Sequence, residues 1–181
     1  VPSALFYASD SRHGIISRMD QLAAPVLSAL DGLGIAYRSY EHPPVFNTED
    51  VEKHWRDIPG TPVKNLFLRN KKGNHHYLVI VGVDKRVDLK DLVKVIGDDR
   101  LSFGSAERLM EKLGLTPGSV SPFGLIHPGS RDVEVIIDTP LRGAEILLFH
   151  PNINTATLTV SFPDLEKFLK ARGNRVRYLE V

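Results

Sequence analysis

Residues 64–68 read Lys-Asn-Leu-Phe-Leu. Leu66 and Leu68 alternate with Asn65 and Phe67, which predicts a strand buried on both faces. Such a strand needs covering layers on either side, and this constrains the fold more than any other stretch of the chain. A lysine at its head is drawn to the rim of the apolar wall. The stem packs while the ammonium reaches water or a pocket.

The surrounding pattern supplies the layers. Ser17 or Asp20 caps a predicted helix with Leu22, Val26, Leu30 and Leu33 at helical spacing and Gly34 just past its end. Residues 35–41 alternate as a strand, and Thr48 caps a short helix carrying Val51 and Trp55. Residues 64–69 and 77–83 read as a hairpin joined through Lys72-Gly73-Asn74. Helices are predicted from Asp88 through Ile96 and from Ser105 through Leu113, the second ended by Gly114. Strands are expected at 124–126, 133–138, 145–149 and 156–161, then a helix over 163–171 and a strand over 176–181. Hairpins mixed with irregularly placed helices predict an α+β fold rather than a βαβ alternation.

Composition narrows the chemistry. With 181 residues, 42% apolar content and net charge +1, the chain suits one domain, read as residues 17–181, behind a loose N-terminal arm, residues 1–16. The start of the chain lacks the layout of a signal peptide, and no stretch approaches the length of a membrane helix. The absence of cysteine excludes disulfides, thiolate metal sites and a cysteine nucleophile, and suits a cytoplasmic location. Near-neutral charge argues against coating DNA or RNA by bulk electrostatics, yet Lys71, Lys72, Lys85, Arg86, Lys90 and Lys94 make the middle third locally basic. The seven histidines are scattered, and the adjacent His75 and His76 should face opposite ways on a strand, so neither a metal nor another cofactor is expected.

Two further segments stand out. Gly118-Ser119-Val120-Ser121-Pro122 forms a Gly-x-x-x-Pro stretch, and Phe149-His150-Pro151-Asn152-Ile153-Asn154-Thr155-Ala156-Thr157 follows an apolar run. With Lys-Asn-Leu-Phe-Leu, in this order and spacing, they closely resemble the YbaK/ProX family of aminoacyl-tRNA deacylases. That family is related to the editing domain inserted in bacterial prolyl-tRNA synthetases. The resemblance runs from about residue 17 to the C-terminus. It implies a mixed, strongly curved sheet surrounded by helices, in agreement with the pattern.

The implied reaction is hydrolysis of the ester joining an amino acid to the terminal ribose of tRNA. An activated ester mainly needs a positioned water and a stabilised oxyanion, which fixed main-chain N–H groups provide. Gly118 can adopt φ > 0, and Pro117 and Pro122 stiffen the flanks of its loop. Read without the family, the loop is an ordinary turn and His150 a strand-end hydrogen-bonder. The resemblance makes Lys64, Gly118, Ser119 and His150 the candidate catalytic set. Asn65, His42, Val120, Ser121, Pro122, Asn154 and Thr155 are the candidate substrate contacts. It also implies that the 2′-OH of the tRNA helps activate the water, which accounts for the lack of a Ser-His-Asp set. Where many relatives carry Asn-Asp, this chain has His127-Pro128.

The expected substrate is tRNA(Pro) mischarged with alanine, cleared in trans, with prolyl-tRNA synthetase as a candidate partner. A pocket closed by apolar side chains can reject the larger proline by overlap, which discriminates better than a missing methylene. The rival expectations are a deacylase for another tRNA, with cysteine or serine removed, and a non-catalytic module that binds tRNA ends.

Overall fold

The computed structural model describes residues 18–44 and 55–181, with side-chain surroundings from residue 21 onward. The N-terminal arm and most of the predicted Thr48 helix lie outside the described residues. The fold is α+β, as the pattern predicts. Its strands are β1 (Tyr37–Glu41), β2 (Thr61–Asn70), β3 (His76–Gly82), β4 (Leu101–Phe103), β5 (Val133–Asp138), β6 (Ile146–Phe149), β7 (Ala156–Ser161) and β8 (Val176–Leu179). The described helices are α1 (Arg18–Gly32), α2 (Leu89–Ile96), α3 (Ala106–Leu113) and α4 (Phe162–Arg172).

The strands form one mixed sheet in the order β1-β7-β6-β2-β3-β5-β8, with β4 also paired to β2. On the edge opposite β3, β2 pairs with β6 through Thr61 and Pro62, in parallel. The same edge pairs with β4 only at residues 68–70, antiparallel. No strand is paired there to residues 63–66 among the described residues. The sheet therefore divides at the stretch that contains Lys64 and Asn65.

Alternation along β2 assigns its two faces. Val63 and Phe67 join the main core with Leu30 of α1, Leu109 of α3, Phe149 of β6 and Phe168 of α4. Leu66 and Leu68 face the other way, toward Leu92 and Ile96 of α2. The strand is thus covered on both faces, as its sequence requires. Leu148, cross-strand from Pro62, packs on this second face with Tyr40, Trp55 and Ile58.

Local chemistry fixes the helix ends. Asp88 accepts from the Lys90 amide at 2.7 Å, and Gly97 closes α2 in the left-handed conformation. Ser105 caps α3 and Gly114 ends it. Leu22, assigned to the apolar stripe of α1, is instead 45% exposed, so the stripe is carried by Val26 and Leu30.

One element differs in kind from expectation. Residues 124–126 form no strand but part of a 3₁₀ turn, Pro122–Ile126. Proline at its start presets φ, Ser121 Oγ accepts from the Phe123 amide, and the Gly124 amide donates to Ser121 O at 3.1 Å. A side chain at Gly124 would meet Leu115 at 2.8 Å, so the turn packs closely on the segment after α3. His127-Pro128 then opens a second 3₁₀ turn, Pro128–Asp132, with His127 Nδ1 accepting from the Gly129 amide at 3.2 Å. The pair that replaces Asn-Asp is therefore occupied in holding a turn. The three-residue β4 escaped the sequence reading because alternation needs a longer run to show.

Candidate functional site

Lys64 lies where β2 leaves β6, opposite Val81 of β3. Its ammonium donates to Val83 O at 2.9 Å, and burial lowers its pKa, with Asp84 pulling the other way. The hydrogen bond holds the charge at the mouth of the sheet division rather than in free solvent. β6 runs parallel to β2 with Leu148 beside Pro62, so His150 follows β6 at the level of Lys64 and alternation puts both on the second face.

His150 is the electrostatic outlier of the site. Burial, with a smaller contribution from His42, lowers its pKa to about 4, so the ring is neutral at pH 7. Its Nε2 is buried without a hydrogen-bond partner among the described residues. The ring meets Trp55 edge-on at 5.2 Å and His42 tilted at 5.9 Å. His42 is itself fixed: Nε2 and Thr157 Oγ1 are 2.8 Å apart, Nδ1 lies 2.8 Å from Pro43 O, and its amide donates to Thr155 O. His42, Thr155, Thr157 and His150 thus form one group, with Asn154 on the same turn.

The Gly118–Pro122 loop forms a second group. Asn65 leaves β2 on the face opposite Lys64 and donates through Nδ2 to Val120 O at 3.1 Å. Gly118 has φ +89°, and a Cβ built there meets nothing within 4 Å, so the loop surface is open at that point. Ser119 is 6% exposed. Its amide donates to Thr116 O at 3.1 Å and its hydroxyl to the same oxygen at 2.9 Å. The amides of Gly118 and Val120 make no hydrogen bond among the described residues. Ser121 and Pro122 are buried in the 3₁₀ turn, Ser121 as its cap. No hydrogen bond joins this loop to Lys64 or His150 among the described residues; Asn65, the neighbour of Lys64, is the link.

Two residues at the site were missed as site residues by sequence reasoning. Trp55 covers His150, and its indole Nε1 is buried and unpaired among the described residues. Asn152, at φ +64° and 5% exposed, buries an Oδ1 unpaired among the described residues, on the turn after His150. A buried polar atom without a partner costs about 1–3 kcal/mol, a cost concentrated at functional sites. The signal for Asn152 was its residue type, since asparagine tolerates the left-handed region better than most. Trp55 gave none beyond an apolar spacing. Among the described residues, no group of three or more His, Asp or Glu side chains could hold a metal ion, and no helix is long and apolar enough to cross a membrane.

The aminoacyl-tRNA editing domain family matches residues 42–168, a span from His42 past His150. The chain is 45% identical over 156 residues to the prolyl-tRNA editing protein ProX of Acetoanaerobium sticklandii, covering 86% of this chain and 95% of that one. It is 34% identical over 158 residues to prolyl-tRNA synthetase associated domain-containing protein 1 of Mus musculus, covering 85% and 93%. A solved structure described as a candidate trans-editing enzyme for prolyl-tRNA synthetase superposes with a TM-score of 0.68 at 23% identity, covering 88% and 97%. At that identity the likeness bears on the fold.

Proposed function

The chain belongs to the aminoacyl-tRNA editing domain family, and from that premise we propose that it is a trans-editing deacylase for mischarged tRNA(Pro), with alanine the residue removed. Water attacks the ester carbonyl carbon, the bond to the ribose oxygen breaks, and that oxygen leaves with a proton. The products are free alanine and intact tRNA. The observation that carries the reading is the pairing of two unlike groups on one sheet face. Lys64 offers a cation at the rim, and His150 offers a neutral imidazole among aromatic edges.

Each group has a role in this scheme. Lys64 holds the terminal ribose or its phosphate, for which a point charge on a flexible stem is suited. The amides of Gly118 and Val120 receive the developing oxyanion, while the Ser119 amide keeps the turn in shape. His150, with Trp55, His42 and Asn152, lines the end that takes the amino-acid side chain. Asn65 positions the loop through Val120 O, Ser121 and Pro122 brace it, and Asn154 and Thr155 shape the turn beside His42. Residues 17–181 act as one domain, in the cytoplasm where charged tRNA and prolyl-tRNA synthetase meet.

The test is single-turnover deacylation of a panel of mischarged tRNAs. Ala-tRNA(Pro) should be hydrolysed faster than the cysteinyl and seryl forms, while Pro-tRNA(Pro) survives. If substrate assistance holds, alanine on the 3′ oxygen of a tRNA ending in 2′-deoxyadenosine should be bound almost as well. It should be hydrolysed about 10²–10⁴-fold more slowly. Equal rates on the two tRNAs would point to a protein base, with His150 the first to examine. EDTA should leave the rate on the normal substrate unchanged.

A further inference from the structure

The sheet face that carries Lys64 continues into a groove between α2 and β4. Leu89 and Val93 of α2 and Leu101 of β4 line it with apolar surface, Lys90 and Arg100 complete it, and its volume is about 460 Å³. Both cations are exposed, and neither side chain makes a hydrogen bond or ion pair among the described residues. Of the other lysines in this basic stretch, Lys85 is held by Asp138 and Lys94 by Asp91, whose carboxylate Lys90 also influences. Phe103, two residues along β4 from Leu101, pairs with Leu68 and is 62% exposed. It is the most exposed of the large apolar side chains described.

We propose that this groove is a second RNA subsite, holding the single strand that leads to the esterified 3′ end. This rests on the deacylase reading and extends it to the body of the substrate. Leu101 lies level with Asn70, six residues beyond Lys64 on β2, or roughly 20 Å at about 3.3 Å per residue. A strand of several nucleotides spans that distance. Phe103 stands between the two points and offers a stacking surface for a base. Lys90 and Arg100 meet phosphates on the groove side of it, and Lys64 lies on the other. A second copy docking here about a twofold axis would set the same cations against each other, so charge favours a polyanion.

The experiment measures binding of 5′-labelled tRNA(Pro) and deacylation of Ala-tRNA(Pro) at several salt concentrations. Lys90→Gln/Arg100→Gln should weaken binding about tenfold and reduce the salt slope by roughly 1.4, or about 0.7 per contact to a single strand. Phe103→Ala should weaken binding by a similar factor without changing the slope. Lys167→Gln/Lys170→Gln, on exposed positions of α4 over the opposite face, should change neither. Circular dichroism and melting confirm that each variant folds. The subsite is overturned if the groove pair binds as wild type does, or if the α4 pair loses as much. A wild-type protein that binds tRNA but fails to deacylate it would instead defeat the deacylase reading while leaving the groove in place.

Discussion

His76 is buried and His150 partly buried; both are held below the usual histidine pKa chiefly by desolvation, and both keep one ring nitrogen without a hydrogen bond among the described residues. They lie on opposite faces of the sheet, and their surroundings differ. His76 stacks flat on Phe67 at 5.7 Å, with Nε2 3.2 Å from Arg108 Nη1. A guanidinium can only donate, so Nε2 accepts and the proton sits on Nδ1, 4.0 Å from the Asp132 carboxylate. Arg108 also donates to Gly73 O, so His76 is one link in a tie between α3 and the β2–β3 turn. Among the described residues, the rings against His150 are those of Trp55 and His42, and its Nε2 makes no hydrogen bond. Burial and a depressed pKa therefore do not identify a functional histidine. What separates the two is whether the structure already employs the ring.

Acid is the treatment that should fail to distinguish them, and its effect is large. Native His150 stays neutral down to about pH 4, while the unfolded chain binds a proton near its ordinary value of 6.5. Above pH 6.5 neither state is protonated and stability is level. As pH falls toward 4 the unfolded state binds more protons, so stability drops, by roughly 3 kcal/mol over the window. His150→Gln should flatten that limb in melting curves taken from pH 7 to 4. His76→Gln should flatten it too, because its shift has the same sign. A wild-type protein with a level acid limb would contradict both assignments.

Two lysines and then the two histidines should separate by activity. Lys64→Ala should lower deacylation about 10²-fold or more while leaving the melting temperature nearly unchanged. Lys85→Ala should do the reverse, because it strips both 2.8 Å bonds from the buried Asp138. A loss of about 2–3 kcal/mol is expected, short of a fully buried pair because Lys85 keeps some contact with water. Activity of Lys64→Ala within about threefold of wild type would remove it from the site. His150→Gln should cut the rate about tenfold, and His76→Gln should leave it within about threefold at temperatures well below melting. Equal losses would mean that the employment of the ring is the wrong criterion.

The fold was more legible than the site. The helix stop at Gly114, the caps Asp88 and Ser105, and the hairpin around Gly73 are local events written in adjacent residues. Residues 124–126 misled because Leu125 and Ile126 look strand-like, whereas the deciding contacts come from Ser121 and Pro122 just before them. At the site, Lys64 and His150 were found through motifs. Their common face follows from a parallel pairing of β2 with β6 across some 86 residues, the offset from Thr61 to Leu147, which no local pattern records. Trp55 joins His150 only through that tertiary arrangement. Asn65 appeared as a neighbour of Lys64, but its reach across to Val120 is a property of the packed structure.

The smallest expected effect bears on the loop. Both the amide and the hydroxyl of Ser119 are spent on Thr116 O, and the side chain is buried, so its oxygen is not presented as a nucleophile. Ser119→Ala keeps the amide and removes one side-chain hydrogen bond, a change of about 1 kcal/mol in stability. Deacylation should stay within about threefold of wild type. Gly118→Val makes the contrast: no neighbour obstructs the new Cβ, yet φ +89° is a conformation that a β-branched residue resists, so the backbone would shift and carry the adjacent amides with it. Its rate should fall well below that of Ser119→Ala. If Ser119→Ala abolishes hydrolysis while Gly118→Val spares it, the catalytic group is the hydroxyl and not the main chain. The serine would then have to leave Thr116 O during the reaction, and an acyl-enzyme should be trapped by rapid quench.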